Sequence, residues 1–226
     1  MVLLAFRLVA SRTGPATNKT TLSMLSIKKE TRNAVTLRFP VPGNVKLKAK
    51  PGQFLTFDWL VDCKKRPRSY SLSSSPLRIA YIEITVKEQG IVSSFLNREA
   101  QKGLTVEAHG PFGQFYFDET RHRSIVLFAG GSGITPIMSM LRYIEGAAPN
   151  TEIVLFYAVH TEQHVIFEGD LERFQKRLPR FRCLTIASKP ASQWQGPRGH
   201  LNRAMIEHHL GEVPIKRSFF VGRPLT

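Results

Sequence analysis

Seven consecutive residues, Arg68-Ser69-Tyr70-Ser71-Leu72-Ser73-Ser74, bring together a cation, an aromatic ring and several hydroxyls. In a strand, alternate side chains share a face, so Arg68 and Tyr70 can meet one ligand. A guanidinium grips a phosphate through two parallel hydrogen bonds. A phenol ring can lie flat on a planar heterocycle, and a nearby hydroxyl such as Ser71 or Ser74 can hydrogen-bond that heterocycle's edge. The matching ligand is part phosphate and part flat ring, as a flavin nucleotide is. The same residues equally suit a serine-rich loop that closes a basic strand.

Two glycine turns follow. Gly130-Gly131-Ser132-Gly133-Ile134-Thr135-Pro136 comes directly after the apolar run Ser124–Ala129 and opens a helical pattern. Glycines there let the backbone turn sharply and approach a ligand with no side chain in the way. Pro136 suits a first helical turn, and the exposed N–H groups of a helix start favour an anion. A glycine motif between a buried strand and a helix points to a dinucleotide. Gly90-Ile91-Val92-Ser93 is the second turn, also at a helix start. Its first-turn amides can hold a phosphate with help from the Ser93 hydroxyl, although serine at a helix start also serves simply as a cap.

The elements that position these residues change character along the chain. Thr21–Glu30, Ala34–Phe39, Gln53–Trp59, Arg68–Ser73, Ala80–Lys87, Thr105–Glu107 and Gln114–Phe117 read as short strands separated by Gly and Pro turns. That spacing predicts a small antiparallel barrel or sandwich. One helix interrupts it, capped by Ser93 and running through Phe95, Leu96 and Arg98. Beyond Arg121 the pattern alternates. Ser124–Ala129, Glu152–Val159, Phe181–Ala187 and Arg217–Gly222 read as strands, the first two continuous apolar runs of the kind buried on both faces. Pro136–Glu145, Phe167–Leu178 and Asn202–Leu210 read as the helices between them. Alternation of this kind means a parallel sheet. The expected division is an extension over 1–19, an antiparallel domain over 20–120 and an α/β domain over 121–226.

Composition narrows the partners. Lys and Arg number 32 against 17 Asp and Glu, a formal charge of +15, which attracts phosphorylated ligands and acidic partners. No recognition helix or aromatic-interleaved basic patch accompanies that charge, so nucleic acid is not expected. No apolar run approaches the roughly 18 residues that span a bilayer. Two cysteines, Cys63 and Cys183, are too few for a four-cysteine iron–sulfur or zinc site, so no metal is expected. They fit a reduced, cytoplasmic protein. Met1–Ser11 lacks a basic start, and the Arg, Ser and Thr content up to Thr21 faintly resembles an organelle transit segment. His109, which precedes Gly110-Pro111, and His208-His209 are read as structural or surface residues.

Taken in order, Arg68-x-Tyr70-Ser71-x-x-Ser74, Gly90-x-x-Ser93, Gly110-Pro111-x-Gly113 and Gly130-Gly131-x-Gly133-Ile134-Thr135-Pro136 resemble the ferredoxin–NADP reductase superfamily, above all the reductase components of bacterial oxygenases. The resemblance runs from about Thr20 to Pro224. It implies an N-terminal antiparallel β-barrel that binds FAD and an α/β parallel-sheet domain for NADH or NADPH. It assigns Arg68 and Ser74 to the flavin site, Tyr70 and Ser71 to the reacting ring, and Gly90, Val92 and Ser93 to a second phosphate contact. Gly130, Gly131, Gly133, Thr135 and Pro136 would seat the dinucleotide. It implies electron transfer from NAD(P)H through FAD to an acidic iron–sulfur protein or oxygenase. A flavin-binding subunit without its own NAD(P)H oxidation is the alternative.

Three departures from the family pattern carry expectations. Gly222 stands where the family carries a cysteine beside the nicotinamide, so hydride transfer is expected to be slowed. The family continues for another helix and strand past Thr226, so the second domain is expected to be short at its C-terminus. After the second parallel strand, His160-Thr161 replaces Arg-Thr or Arg-Ser. A protonated His160 can still meet a 2′-phosphate, which leaves NADH and NADPH both open.

Overall fold

Period-two alternation builds the first part of the protein. The computed structural model describes residues 19–43, 45, 47–210 and 218–221. Seven strands, β1 (Lys19–Ser23), β2 (Ser26–Thr31), β3 (Ala34–Pro40), β4 (Phe54–Val61), β5 (Lys64–Ser71), β6 (Tyr81–Lys87) and β7 (Thr105–Phe112), form two antiparallel sheets. Their orders are β1-β7-β4-β5 and β2-β3-β6. An isolated antiparallel bridge, Leu72 to Ile84, links the two beyond the end of β5. Leu37 and Phe39 of β3, Leu55, Phe57 and Trp59 of β4 and Ile84 of β6 point into one apolar core between the sheets. Phe57 stacks on Trp59 with ring centroids 5.6 Å apart. Helix α1 (Ile91–Arg98) closes this core with Val92 and Leu96 and lies against β3, β4 and β6.

Several boundaries differ from the sequence expectation. Thr21–Glu30 is two strands, because the chain changes sheets at Met24-Leu25. The Met24 N–H bonds the Leu104 carbonyl on one side, and the Leu25 N–H bonds the Arg38 carbonyl on the other. β5 begins at Lys64, four residues before Arg68, behind a turn in which Asp62 and Cys63 both have left-handed φ, 54° and 55°. Two such residues match the twist of a tight hairpin. β7 continues to Phe112 because it completes ladders with both β1 and β4, whereas Gln114–Phe117 is not a strand.

In the second part, β8 (Ser124–Gly130), β9 (Glu152–Val159), β10 (Phe181–Ala187) and β11 (Ser218–Val221) form a parallel sheet of order β10-β9-β8-β11. The helices are α2 (Ile134–Ala147), α3 (Glu168–Arg177) and α4 (Arg203–Leu210). Strand order reverses at β8, and ligands of open α/β sheets bind at the carboxyl ends of strands beside such a reversal. The expected final strand is present as Ser218–Val221, while Arg217 and Gly222 lie outside the described residues.

The described residues divide into two units. One comprises 19–117 with Thr135–Tyr143 of α2, and the other 118–134, 144–210 and 218–221. No described helix is long and apolar enough to cross a membrane. Among the described residues no cluster of His, Cys, Asp and Glu could hold a metal.

The Pro51-Gly52 turn is crowded. Gly52 has φ 110°, and an added Cβ would lie 2.6 Å from the Phe115 carbonyl oxygen and 2.5 Å from Met140 Cε. Both the conformation and the space exclude a side chain. Gly52→Ala should cost about 2–3 kcal/mol. Urea unfolding would show this as a lowered midpoint at unchanged slope.

Candidate functional site

Among the described residues β5 is the end strand of its sheet, paired only with β4. Tyr70 stands opposite Leu55 and Arg68 opposite Phe57, so both project on the side of β4 that carries the core. At this end of the sheet the core runs out. Tyr70 is half-buried, packed on the core with its ring 6.2 Å from that of Phe57, while Arg68 is exposed. The Arg68 guanidinium donates to the Pro67 carbonyl at 2.7 Å, and no carboxylate pairs with it among the described residues. Burial pushes the Tyr70 phenol up to about 12, with Arg68 pulling weakly the other way. The strand thus sets a half-buried neutral ring two residues from an exposed cation.

The other face of the hairpin is a charge network. Asp58 Oδ2 accepts from Lys65 Nζ and His109 Nε2, both at 2.9 Å, and Glu107 binds Lys65 and Lys19. Burial alone would raise the Asp58 carboxyl, but hydrogen bonds from His109 and Lys65 hold it below its ordinary value. His109 is thus a structural residue tied to Asp58.

Past Ser71 the chain dives inward, and Ser73, Ser74 and Ser75 are all buried. Ser73 Oγ accepts the Thr85 hydroxyl at 3.1 Å, and Ser74 Oγ accepts the Glu83 N–H at 3.1 Å. Ser74 therefore fastens the loop to β6. From β6, Glu83 receives Arg38 of β3 through Nε at 2.9 Å and Nη2 at 2.7 Å, and Arg142 of α2 through Nη1 at 2.8 Å. Arg142 Nη1 also donates to the Ser73 carbonyl at 2.9 Å, and Ser139 donates to the Ser74 carbonyl at 2.7 Å. Nothing in the alternating run Ala80–Lys87 announces that Glu83 is buried. Glu83, Ser139 and Arg142 emerge from the structure alone.

The second glycine turn differs in detail from the expectation. Helix α1 starts at Ile91 with Gly90 as its cap, so Ser93 is the third helical residue and not the cap. Its hydroxyl reaches back, accepting the N–H groups of Gln89 and Gly90 at 2.8 and 2.9 Å and donating to the Gly90 carbonyl. The hydroxyl is engaged locally. The donors left for an anion are the first-turn N–H groups, which have no partner within a helix. The space beside the Gly90 Cα is open, which admits a ligand to that backbone.

At the carboxyl end of β8 the chain passes through a short 3-10 turn, Gly131–Gly133, straight into α2. Gly131 has φ 51°, the left-handed region that favours glycine. Its carbonyl accepts the Tyr157 hydroxyl at 3.0 Å, and that hydroxyl in turn accepts the Ile166 N–H at 3.2 Å. Tyr157 is fully buried, and burial raises its phenol far above the ordinary value. The only hydroxyl within the apolar run Glu152–Val159 was the signal that could have found it. Thr135 is buried in the first turn of α2, followed by Pro136. His160, exposed at the end of β9, lies with Nδ1 3.3 Å from Ser188 Oγ, and Thr161 Oγ1 lies 2.7 Å from His164 Nδ1. Lys189 is exposed next to Ser188.

The fold is that of a two-part protein, an antiparallel part that carries Arg68 and Tyr70 and an α/β part that carries the Gly131 turn. Comparisons with known proteins agree. A model of the oxidoreductase FAD-binding domain matches residues 21–117, and one of the oxidoreductase NAD-binding domain matches 127–224. The chain is 32% identical over 203 residues to the glycine betaine monooxygenase reductase subunit of Chromohalobacter salexigens, covering 88% of this chain and 55% of that one. Among solved structures, the CS-b5R domains of human Ncb5or superpose with a TM-score of 0.79 at 22% identity, covering 93% of this chain and 63% of that one. The cytochrome b5 reductase domain of Ulva prolifera nitrate reductase gives 0.75 at 23% identity, covering 84% and 81%. The chain belongs to the FAD- and NAD-binding oxidoreductases of the ferredoxin reductase type. It spans about half the length of the curated relatives it matches.

The Tyr70 phenol gives this site a pH signature. Folding favours its neutral form, so its contribution to stability is complete below an unfolded value of about 10 and is lost as pH rises toward 12. In an alkaline titration read at phenolate absorbance, Tyr70→Phe should remove one tyrosine from the group that ionises near pH 12. Loss of a tyrosine from the group near pH 10 would show that Tyr70 is not desolvated.

Proposed function

We propose that this chain is a flavin-dependent reductase that takes electrons from NADH or NADPH and passes them, through FAD, to a one-electron acceptor protein. The observation that supports this best is Arg68 and Tyr70 two residues apart on end strand β5, one cation without a carboxylate partner among the described residues and one half-buried neutral ring. In this reading Arg68 binds the flavin's phosphates and Tyr70 covers its ring. Ser71, half-buried at the end of β5, faces the ring's edge. Gly90, Val92 and Ser93 offer main-chain N–H groups at the start of α1. Ser74 contributes by fixing the loop behind Ser71. A bound flavin supplies the hydride acceptor and the stepwise release of single electrons. The protein's own groups orient the ring and exclude water from one of its faces.

The dinucleotide site in this reading is the turn Gly130, Gly131 and Gly133 with Thr135 and Pro136 in the first turn of α2. Amide N–H groups at that helix start suit a pyrophosphate. His160, Thr161, Ser188 and Lys189, at the carboxyl ends of β9 and β10, suit the adenosine ribose. A cationic His160 beside Lys189 accommodates a 2′-phosphate, and Ser188 a 2′-hydroxyl, so both nucleotides are candidate substrates.

The acceptor we infer is an acidic iron–sulfur protein or oxygenase. Lys64, Lys65, Arg66 and Arg68 on β5 and Lys48 and Lys50 before β4 outnumber Asp58 and Asp62 around the flavin strand. Such an excess steers a negatively charged partner. The C. salexigens relative is by its name the reductase subunit of a monooxygenase. Cys63 and Cys183 are both free thiols, which fits a reducing cytoplasm.

The purified chain should be yellow, or become so on adding FAD, and should bleach anaerobically with NADH or NADPH. A chain that takes up no flavin would sink the reading, whereas flavin that neither nucleotide bleaches would favour a flavin-binding subunit without its own NAD(P)H oxidation. Separately, Arg68→Ala should weaken FAD binding by about 10- to 100-fold, the worth of a charge-assisted hydrogen bond pair. Fluorescence titration with FAD measures it, and an unchanged affinity would remove Arg68 from the site.

A further inference from the structure

Helix α2 carries two sets of contacts on one stripe. Thr135, Ser139 and Arg142 are spaced by four and then three residues, which aligns them on a single helical face. Thr135 belongs to the first turn, immediately after the Gly131–Gly133 turn. Ser139 and Arg142 hold the carbonyls of Ser74 and Ser73, three and two residues past Ser71. The two ends of this stripe are about 10 Å apart along the axis, at 1.5 Å per residue. The loop they hold has no slack. Its three serines are buried, and its other fastenings run to Thr85 and Glu83 of β6. Arg142 Nη1 joins the Ser73 carbonyl and the Glu83 carboxylate at once.

We propose that Ser139 and Arg142 are positioning residues that make flavin binding and dinucleotide binding interdependent. The inference rests on the two sites assigned under the proposed function. An anion bound at the helix start fixes the first turn of α2. A helix moves as a unit, so fixing that turn also fixes Ser139 and Arg142, and through them the main chain behind Tyr70 and Ser71. Coupling of this kind is reciprocal: whatever factor the dinucleotide adds to flavin affinity, flavin adds to dinucleotide affinity. Arg142 is suited to the task because one guanidinium meets a carbonyl and a carboxylate together, which a lysine ammonium at the end of a flexible stem does less well.

The test uses the full chain loaded with FAD. Free flavin is read by fluorescence across a dilution series, with and without saturating NAD⁺ or NADP⁺, oxidised so that no electrons move. The wild-type chain should bind FAD at least about 5-fold more tightly with the dinucleotide present, the lower end of usual coupling. Arg142→Met should bring that factor close to one, Arg142→Lys should keep part of it, and the dinucleotide should still bind each variant. Ser139→Ala leaves every partner of Glu83 in place and should lower the factor too, so it decides the matter if Arg142→Met does not fold. A wild-type factor of one, or variants that weaken FAD while keeping the wild-type factor, would overturn the inference and leave the proposed function standing. A wild-type chain that binds no FAD at all would remove both.

Discussion

Glu83 carries a carboxylate on a side chain that is almost wholly removed from water, and two guanidiniums converge on it. A buried charge is tolerable only when its lone pairs are met. Arg38 meets one oxygen from the directly opposite position on β3, and Arg142 meets the other from α2. Removing one partner of such a set typically costs about 3–5 kcal/mol, because a desolvated charge is left behind. Much of the first unit is arranged around this constraint. The polar face of β6 continues to Thr85, which bonds Thr36 at 2.8 Å and Ser73 at 3.1 Å, so the sheet's second face is a closed hydrogen-bond network. Arg38 also lies 4.2 Å over the Tyr81 ring, which keeps its planar group in register. The loop after β5 crosses this network, and its course is dictated by the groups it must satisfy.

The glycine turn is constrained from the opposite direction. Here the fixing group is a hydroxyl inside the sheet: Tyr157 gives its proton to the Gly131 carbonyl and receives the Ile166 N–H. One buried side chain thus satisfies main-chain groups from two loops that follow two adjacent parallel strands. Such a phenol, neutral at every working pH, sets the shape of the turn before any ligand arrives.

How far the sequence could be read depends on the kind of force involved. Local patterns were legible. Alternation in Ala34–Phe39 and Ala80–Lys87 located β3 and β6, and the apolar runs Ser124–Ala129 and Glu152–Val159 located β8 and β9 within a residue. Arg68, Tyr70 and the Gly131 turn were visible because their chemistry and spacing lie in a few consecutive residues. Boundaries set by distant partners were not. The break at Met24-Leu25 depends on Leu104 and Arg38, and the extension of β7 to Phe112 depends on β1 and β4. Ser93 illustrates the same limit at one residue. Its type suggested a cap, but Gly90 occupies that position, and the hydroxyl serves the backbone from inside the helix. Glu83 and Arg142, 59 residues apart, pair only because the fold brings β6 and α2 together.

The free edge of β5 raises a separate problem of self-association. An end strand exposes unpaired main-chain groups that invite another chain to add to the sheet. β5 carries Lys64, Lys65, Arg66 and Arg68, with Pro67 in their midst. Proline donates no hydrogen bond to an incoming strand, and the excess of cationic side chains on this edge disfavours a second copy laid alongside. The residues proposed to meet a phosphorylated ring therefore also guard this edge whenever nothing covers it. In the proposed reading, one set of side chains both holds the cofactor and keeps a newly made chain from aggregating before the cofactor arrives.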